Sequence, residues 1–499
     1  MTSRQERHAW TALRPGCRRL ILCAGLWLAI PAVPAQVGAS HEDGNSYYKR
    51  KCNSTEPTVA IAACTRLIDD PHEEAATRAS ALQNRAFHYE SLGDLEHATQ
   101  DYNAVLKLPG ARSDRAKVYL NLGLMLSQKG DLAAALTSFD EALKRDPRLA
   151  SAYLNRAALY MKSGDSPRAI ADLDHALTLN PRDADAYLSR GTVYAHLGDH
   201  ERAIADFSQA IQIDPGNRLA WRDRGLAYRL KGDYARAMAD ASEAIRLNPG
   251  MADAHLDLGL SLVALGRGRE GLAEFDRAIA LDAGDAHALK ARGDEYLAEA
   301  DGERAIADFS RALAIDPQLT DAYLNRGVAY LRRSDWNRAT ADFSQAIALN
   351  PEQFAAYLNR GEALRASGDP ERAISDFDQA IRLRPGAAEA YLQRAFLRQK
   401  QGDNAGGIAD YDQAIALDPG SAEAFRGRGY ARLAQRQIDL AIADLSTAIK
   451  LNPRDALAFA FRSSAYAERK DFGRANADAA MARQLDPAVK VQLHPGGHP

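Results

Sequence analysis

Arginine recurs at multiples of 34 residues along most of this 499-residue chain, at Arg156, Arg190, Arg224, Arg292, Arg326, Arg360, Arg394, Arg428 and Arg462, with an earlier one at Arg85. Sixteen residues after each stands an aspartate: Asp172, Asp206, Asp240, Asp308, Asp342, Asp376, Asp410, Asp444, Asp478 and Asp101. A planar guanidinium on a buried or half-buried surface needs a carboxylate, and its fork fits one in two parallel hydrogen bonds. The two rows therefore predict structural ion pairs, among them Arg156 with Asp172, Arg190 with Asp206, Arg326 with Asp342 and Arg360 with Asp376. Where the arginine is missing its acid also changes, to Leu122 with Ser138 and to Leu258 with Glu274. That joint variation predicts side chains that meet, either between the two helices of a hairpin or between neighbouring repeats. The alternative is a row of arginines that bind a ligand.

Other reactive residues are few. There is no phosphate-binding loop, no Gly-x-Ser-x-Gly elbow and no His-Glu-x-x-His pair. The twelve histidines are scattered, with no metal-ligand spacing, so neither a metal nor a cofactor is expected. The four cysteines are Cys17, Cys23, Cys52 and Cys64. The first two lie within residues 1–35. Cys52 and Cys64 are spaced wrongly for a redox Cys-x-x-Cys pair. If the chain is exported, their even count favours a disulfide that ties the N-terminal segment together; two free thiols are the alternative.

The elements that position these residues follow from one period. Pro147, Pro181, Pro215, Pro249, Ala283, Pro317, Pro351, Pro385, Pro419, Pro453 and Pro487 stand 34 residues apart without an insertion. A fixed period in this range is the mark of stacked repeats. With the proline at position 32, repeats begin at 116, 150, 184, 218, 252, 286, 320, 354, 388, 422 and 456, and an earlier copy begins at 79. Position 8 is small in every copy (Gly191, Gly327 and Gly361, for instance), and position 20 is Ala or Gly. Position 27 is Ala except at Val105, while position 24 is often Phe, as at Phe207, Phe343 and Phe377. Positions 4, 8 and 11 share one helical face, as do 20, 24 and 27. Steps such as Gly164-Asp165 and Gly368-Asp369 separate the two helices with a C′ glycine, and the proline stops the second. Each unit is thus a helix hairpin that must stack on its neighbours to bury its apolar face.

Tyr153, Ala157, Tyr160, Ala169, Leu173, Ala176 and Pro181 resemble the tetratricopeptide repeat pattern, and the resemblance spans residues 79 to about 489 in twelve copies. It implies an all-α, right-handed superhelical solenoid of stacked antiparallel helix pairs, whose concave groove, lined mainly by the first helices, binds peptide or protein partners. In the family the groove is lined by positions 2, 5, 9, 12 and 13. Position 5 here is Leu at Leu120, Leu154, Leu188, Leu256, Leu324, Leu358 and Leu392, interrupted by Arg222, Lys290 and Arg426. These leucines either form an apolar binding stripe or pack between adjacent first helices. Position 6 carries Asn84, Asn121, Asn155, Asn325 and Asn359, with Gln393 and Ser189 as near-relatives. This row is similar to the asparagine ladder of O-GlcNAc transferase, whose amides hold an extended peptide. An amide both donates and accepts, so it pairs with any peptide bond; capping or cross-repeat bonds are the other use. The row is broken at Asp223, Asp257 and Ala291. Repeat 6 departs most from the pattern, at Arg267, Gly271 and Ala283, and is expected to be locally softer.

Composition fits this reading. Apolar residues make up 46% of the chain and charged residues 26%, enough for a continuous core with a large solvated surface. Arg14, Arg18 and Arg19 precede an apolar stretch from Leu20 to Val33, which ends at Val33-Pro34-Ala35. That is the pattern of a secretory signal peptide, expected over residues 1–35; an uncleaved anchor tethering an envelope assembly subunit is the alternative. Its removal takes five arginines and one glutamate, moving the formal charge from −3 to −7. Such a chain has no electrostatic footprint for nucleic acid and no basic cluster for an anionic membrane. The expected organisation is a signal peptide, an N-terminal capping segment over 36–78 containing Pro57 and a degenerate half-repeat, the repeats over 79–489, and a disordered tail over 490–499. The expected function is a non-catalytic scaffold in the periplasm or outside the cell.

Overall fold

Proline at position 32 dictates the backbone of the residue before it. Asp146, Asn180, Asp214, Asn248, Asp316, Asn350, Asp418 and Asn452 each precede such a proline, and each is extended, with φ between −127° and −146°. The proline ring excludes the helical region there, so every second helix ends in register. The Asp or Asn side chain then accepts a hydrogen bond from the N–H two residues on, as from Arg148 to Asp146 at 2.9 Å and from Gly216 to Asp214 at 3.0 Å. At Ala283 the same bonds form without proline: the Asp282 N–H donates to the Ala278 carbonyl, and the Gly284 N–H donates to the Asp282 side chain, each at 2.9 Å.

The structure, a computed structural model, describes residues 44–109 and 114–490. Among the described residues there are twenty-six helices and no strand. Twenty-two of these form eleven antiparallel pairs, each within one of two compact units, for example Ala150–Ser163 with Ser166–Leu179 and Thr320–Arg332 with Trp336–Leu349. The expected signal peptide and most of the expected tail lie outside the described residues. No described helix is long and apolar enough to cross a membrane.

The turn between paired helices is built from two residues. Glycine occupies the left-handed C′ position in eight repeats, for example Gly130 at φ 88° and Gly164 at φ 78°. The following aspartate caps the second helix, as Asp165 does by accepting from the Arg168 N–H at 3.1 Å. Ala300, Ser334, Arg436 and Lys470 take the same left-handed conformation without being glycine.

Position 24 fills the space between paired helices. Phe207, Phe309, Phe343 and Phe377 are completely buried, each contributing roughly 1.5–3 kcal/mol of transfer free energy. The chain falls into two compact units, Met1–Gly271 and Leu272–Pro499, and the division lies within the second helix of repeat 6, Gly268–Leu281. In unit 1 the alanine usual at position 20 is excluded: a Cβ at Gly271 would lie 2.6 Å from Val263 Cγ2. In unit 2 the last pair ends the stack. Internal repeats carry Ile374, Ile408 and Ile442 at position 21 and Ile381, Ile415 and Ile449 at position 28; repeat 12 has Asn476 and Arg483 there, the polar outer face that a terminal repeat needs.

At the N-terminus the degenerate half-repeat is preceded by a short partner helix. Helix α1 (Gly44–Cys52) packs beside α2 (Pro57–Asp69), which starts with the proline in its first turn. Cys52 and Cys64 are joined by a disulfide across this pair. Asn45 donates to Asp70 and Glu73 at 3.0 and 2.9 Å, and Lys49 pairs with Glu73 at 2.8 Å.

Candidate functional site: the first-helix face

The arginine row reaches two ways. Arg156 donates through Nε and Nη2 to the two oxygens of Asp172 at 2.8 and 2.7 Å, and Arg190, Arg326 and Arg360 hold Asp206, Asp342 and Asp376 in the same fork. The third nitrogen, Nη1, crosses to position 25 of the preceding repeat. It meets Asp140 from Arg156 and Asp174 from Arg190, each at 2.6 Å, and Ser310 from Arg326 and Ser344 from Arg360 at 3.0 and 2.9 Å. Each guanidinium therefore ties two helices of its own repeat together and holds them to the previous one. Forks to the aspartates raise the pKa of the arginines further, so the guanidinium groups stay charged at any ordinary pH. Arg156 also lies over the Tyr153 ring at 5.7 Å, and Arg326 over Tyr323 at the same distance. These side chains are committed inside the stack.

Within each unit the first helices of neighbouring repeats touch one another through positions 2, 5, 6, 9, 12 and 13. In unit 1, Arg222 at position 5 lies 3.7 Å from Asp253 at position 2 of the next repeat, and Arg229 at position 12 lies 3.0 Å from Asp257 at position 6. In unit 2, Asn325 at position 6 donates to Asp294 at position 9 of the preceding repeat at 2.7 Å, and the Tyr430 and Phe461 rings sit 4.6 Å apart. These contacts make one continuous face per unit.

The leucines expected to line it are all half-buried. Leu154 packs against the cluster of Tyr160, Leu173 and Val193, Leu188 against that of Ile211 and Ala220, Leu324 against that of Tyr330 and Phe343, Leu358 against that of Leu364 and Phe377, and Leu392 against that of Tyr411 and Ala414. Leu188 joins two such clusters, and all of these leucines leave only part of their surface on the face. Of the three interruptions, Arg222 is buried and bonded to Asp223 at 2.8 Å, Lys290 pairs with Asp294 at 2.8 Å, and Arg426 pairs with Asp455 at 2.9 Å.

The amides at position 6 have different fates. Asn84 donates to Asn53 at 2.7 Å, next to the disulfide. Asn121 hydrogen-bonds the Tyr102 hydroxyl. Asn155 donates to its own helix at the Ser151 carbonyl, 2.7 Å away, and Asn325 is held by Asp294. Asn359 and Gln393 are half-buried and have no hydrogen bond among the described residues.

Models of tetratricopeptide repeats match residues 123–164, 154–218, 228–293, 293–334, 324–388, 392–437 and 427–489. The chain belongs to the tetratricopeptide repeat family. None of the matched models is of a catalytic family. A comparison with curated protein sequences gave no match. Among solved structures, the chain is similar to a tetratricopeptide repeat protein from Parabacteroides merdae, at 22% identity over 50% of this chain and 98% of that one, with a TM-score of 0.41. It is similar to the Cut9–Hcn1 hetero-tetramer structure at 14% identity, covering 85% and 96%, with a TM-score of 0.43. It is also similar to YrrB, described as a TPR protein with an unusual peptide-binding site, at 26% identity, covering 37% and 95%, with a TM-score of 0.32.

Two features of this tetratricopeptide repeat face are not evident from the repeat pattern. Gly427 breaks the amide row because a Cβ there would lie 2.3 Å from Tyr411 Cζ; the Tyr411 hydroxyl donates instead to Gln399 at 3.0 Å. Tyrosine in place of phenylalanine at position 24 was the available signal. The second feature is the charge on the face. Burial holds Glu90, Asp185 and Glu362 above the usual carboxylate range, and Asp257 is also raised by burial despite the opposing charges of Arg229 and Arg222. Among the described residues no group of His, Cys, Asp or Glu could hold a metal ion.

Proposed function

We propose that this protein is a non-catalytic scaffold that takes an extended peptide or a protein segment along the first-helix face of its repeats. The observation that carries the reading is the continuity of that face within each unit. Side chains at positions 2, 5, 6, 9, 12 and 13 meet from repeat to repeat, and the arginine row, the strongest polar feature of the sequence, is spent on holding the repeats together. Half-buried leucines supply apolar floor, and amides at position 6 supply groups that pair with any backbone. Selection of a random peptide display library on the immobilised full chain tests this. The expected result is a set of peptides that bind and are lost from the Asn359→Ala/Gln393→Ala double variant; failure to enrich any peptide would contradict it.

The reading extends to the compartment. A disulfide between Cys52 and Cys64, together with the basic and apolar pattern of residues 1–35, supports export to an oxidising compartment. N-terminal sequencing of the protein from its own cells is expected to begin at Gln36; a chain beginning at Met1 would favour an anchored form.

A further inference from the structure

The helix–helix turns of unit 2 are closed in some repeats and open in repeat 11. In repeat 7 the cap Asp301 holds Arg304 at 2.7 Å, and that guanidinium lies over the Tyr296 ring at 4.3 Å. Asp335, Arg338 and Tyr330 form the same arrangement in repeat 8. The charge is neutralised and the ring is covered. Repeat 11 has replaced all three members: Gln437 stands for the aspartate, Leu440 for the arginine and Arg432 for the tyrosine. Arg432 turns inward to Asp444 at 2.7 Å, and Leu440 is left 51% exposed.

The next turn, in repeat 12, exposes Phe472 to 61%. Arg469 of repeat 12 pairs with Asp439 of repeat 11 at 3.1 Å, so the two turns are neighbours on one edge. Each also holds a cation on left-handed backbone. Arg436 at φ 60° and Lys470 at φ 62° occupy the turn position that is glycine in eight repeats. Left-handed backbone crowds any Cβ, so both side chains are held there against the stability of the turn. Neither side chain has an ion pair or hydrogen bond among the described residues, so no contact within them compensates the strain. Ala300 and Ser334, which share this conformation, bear no charge. The other cations of the edge, Arg469 and Arg474, are neutralised by Asp439 and Asp471. Two free cations beside two protruding apolar side chains suit discrete carboxylates. A lipid surface needs a larger basic cluster.

We propose that the turn edge of repeats 11 and 12 docks an acidic, apolar segment of a partner protein. Leu440 and Phe472 cover the apolar side chains of that segment, and Arg436 and Lys470 pair with carboxylates beside them. Stability of the turn is given up for charge at the edge. This surface is separate from the first-helix face and stands whether or not that face binds peptide.

The experiment uses the full-length protein and three synthetic pools of twelve-residue peptides. All contain Leu, Phe, Ser and Gly, and they add either Asp and Glu, Asn and Gln, or Lys and Arg. Binding is read by fluorescence anisotropy. The acidic pool is expected to bind about tenfold or more tightly than the amide pool, in the range measured for charge pairs at interfaces. Arg436→Gly/Lys470→Gly is expected to abolish that difference while its thermal midpoint rises, because glycine relieves the backbone. Loss of binding in that variant is then not loss of fold. Leu440→Ser/Phe472→Ser is expected to weaken binding of the acidic pool about tenfold or more. Asn359→Ala/Gln393→Ala, on the first-helix face, is expected to leave the acidic preference intact. The proposal is overturned if the acidic preference is absent from the parent, survives Arg436→Gly/Lys470→Gly or disappears in Asn359→Ala/Gln393→Ala. Sedimentation of the parent, but not of the Arg436→Gly/Lys470→Gly variant, with vesicles of phosphatidylglycerol and phosphatidylcholine would also overturn it, in favour of a lipid surface.

Discussion

Gly327 and Phe343 form a lock between the two helices of repeat 8: a Cβ built on Gly327 would lie 2.6 Å from Phe343 Cε1 and 2.8 Å from Cδ1. The same contact recurs at Gly123 with Phe139, Gly191 with Phe207, Gly293 with Phe309 and Gly361 with Phe377. Where position 24 is Leu173, position 8 is Ala157. A buried phenylalanine thus has glycine opposite it, while leucine stands opposite Ala157 in repeat 3 and opposite Gly429 in repeat 11, where a Cβ would lie 2.7 Å from Leu445 Cγ.

Gly327→Ala is therefore expected to destabilise unit 2 by about 1–3 kcal/mol through overpacking, even though alanine favours the helix. Adding Phe343→Leu is expected to recover part of the loss, because it rebuilds the pairing of repeat 3. Urea unfolding of the single and double variants measures both; an additive double variant would show that the two residues do not act through their contact.

The arginine fork yields a second pair of variants. Arg326→Leu leaves Asp342 buried without its partner and is expected to cost about 3–5 kcal/mol. Arg326→Leu with Asp342→Ser imitates Leu122 and Ser138 of repeat 2 and is expected to lose much less. Denaturant midpoints of the two variants compare them.

Repeat 11 departs from the glycine-aspartate turn. Arg436 has φ 60°, and Gln437 makes no side-chain cap bond to the helix Ile438–Leu451. Arg436→Gly removes the left-handed strain, and Gln437→Asp supplies a cap, each worth about 1 kcal/mol. The double variant is expected to raise the thermal midpoint by several degrees, and a scanning calorimeter reads it directly.

Protonation adds a test at Glu362. Its pKa in the folded chain is raised, so ionisation opposes folding, and the penalty is complete above the folded pKa. Glu362→Gln is therefore expected to be more stable than the parent at neutral pH. The gain should shrink as pH falls and vanish below the unfolded value near 4.3. Thermal midpoints from pH 4 to 8 follow it.

Much of the fold was legible because the repeat restates each constraint many times. The pre-proline aspartates, the turn glycines and the joint loss of arginine and acid at Leu122 and Ser138 are all visible in the sequence. The acceptor at position 25 was not, since Asp140 and Ser310 are unlike residues serving one guanidinium nitrogen. The amide row was visible as a row, but its uses were not. Asn155 finds its own helix, Asn325 finds Asp294, and Asn359 finds neither, although Asn155 and Asn359 both follow an apolar residue, Leu124 and Val328, at position 9 of the preceding repeat. The break at Gly427 depended on the placement of one ring, that of Tyr411.

The disulfide is expected to act locally. Cys52→Ser/Cys64→Ser removes a short loop constraint worth about 3 kcal/mol, and repeats couple mainly to their nearest neighbours. Hydrogen exchange should quicken over α1 and α2 and remain unchanged in repeats 8 to 12.

The most direct test of the first-helix face uses a photoreactive phenylalanine analogue at Ala355, on the first helix of repeat 9, and at Ala341, exposed on the second helix of repeat 8. Each protein is irradiated with a peptide recovered from the display selection. Adducts at Ala355 and none at Ala341 are predicted; adducts at Ala341 alone would contradict binding on this face.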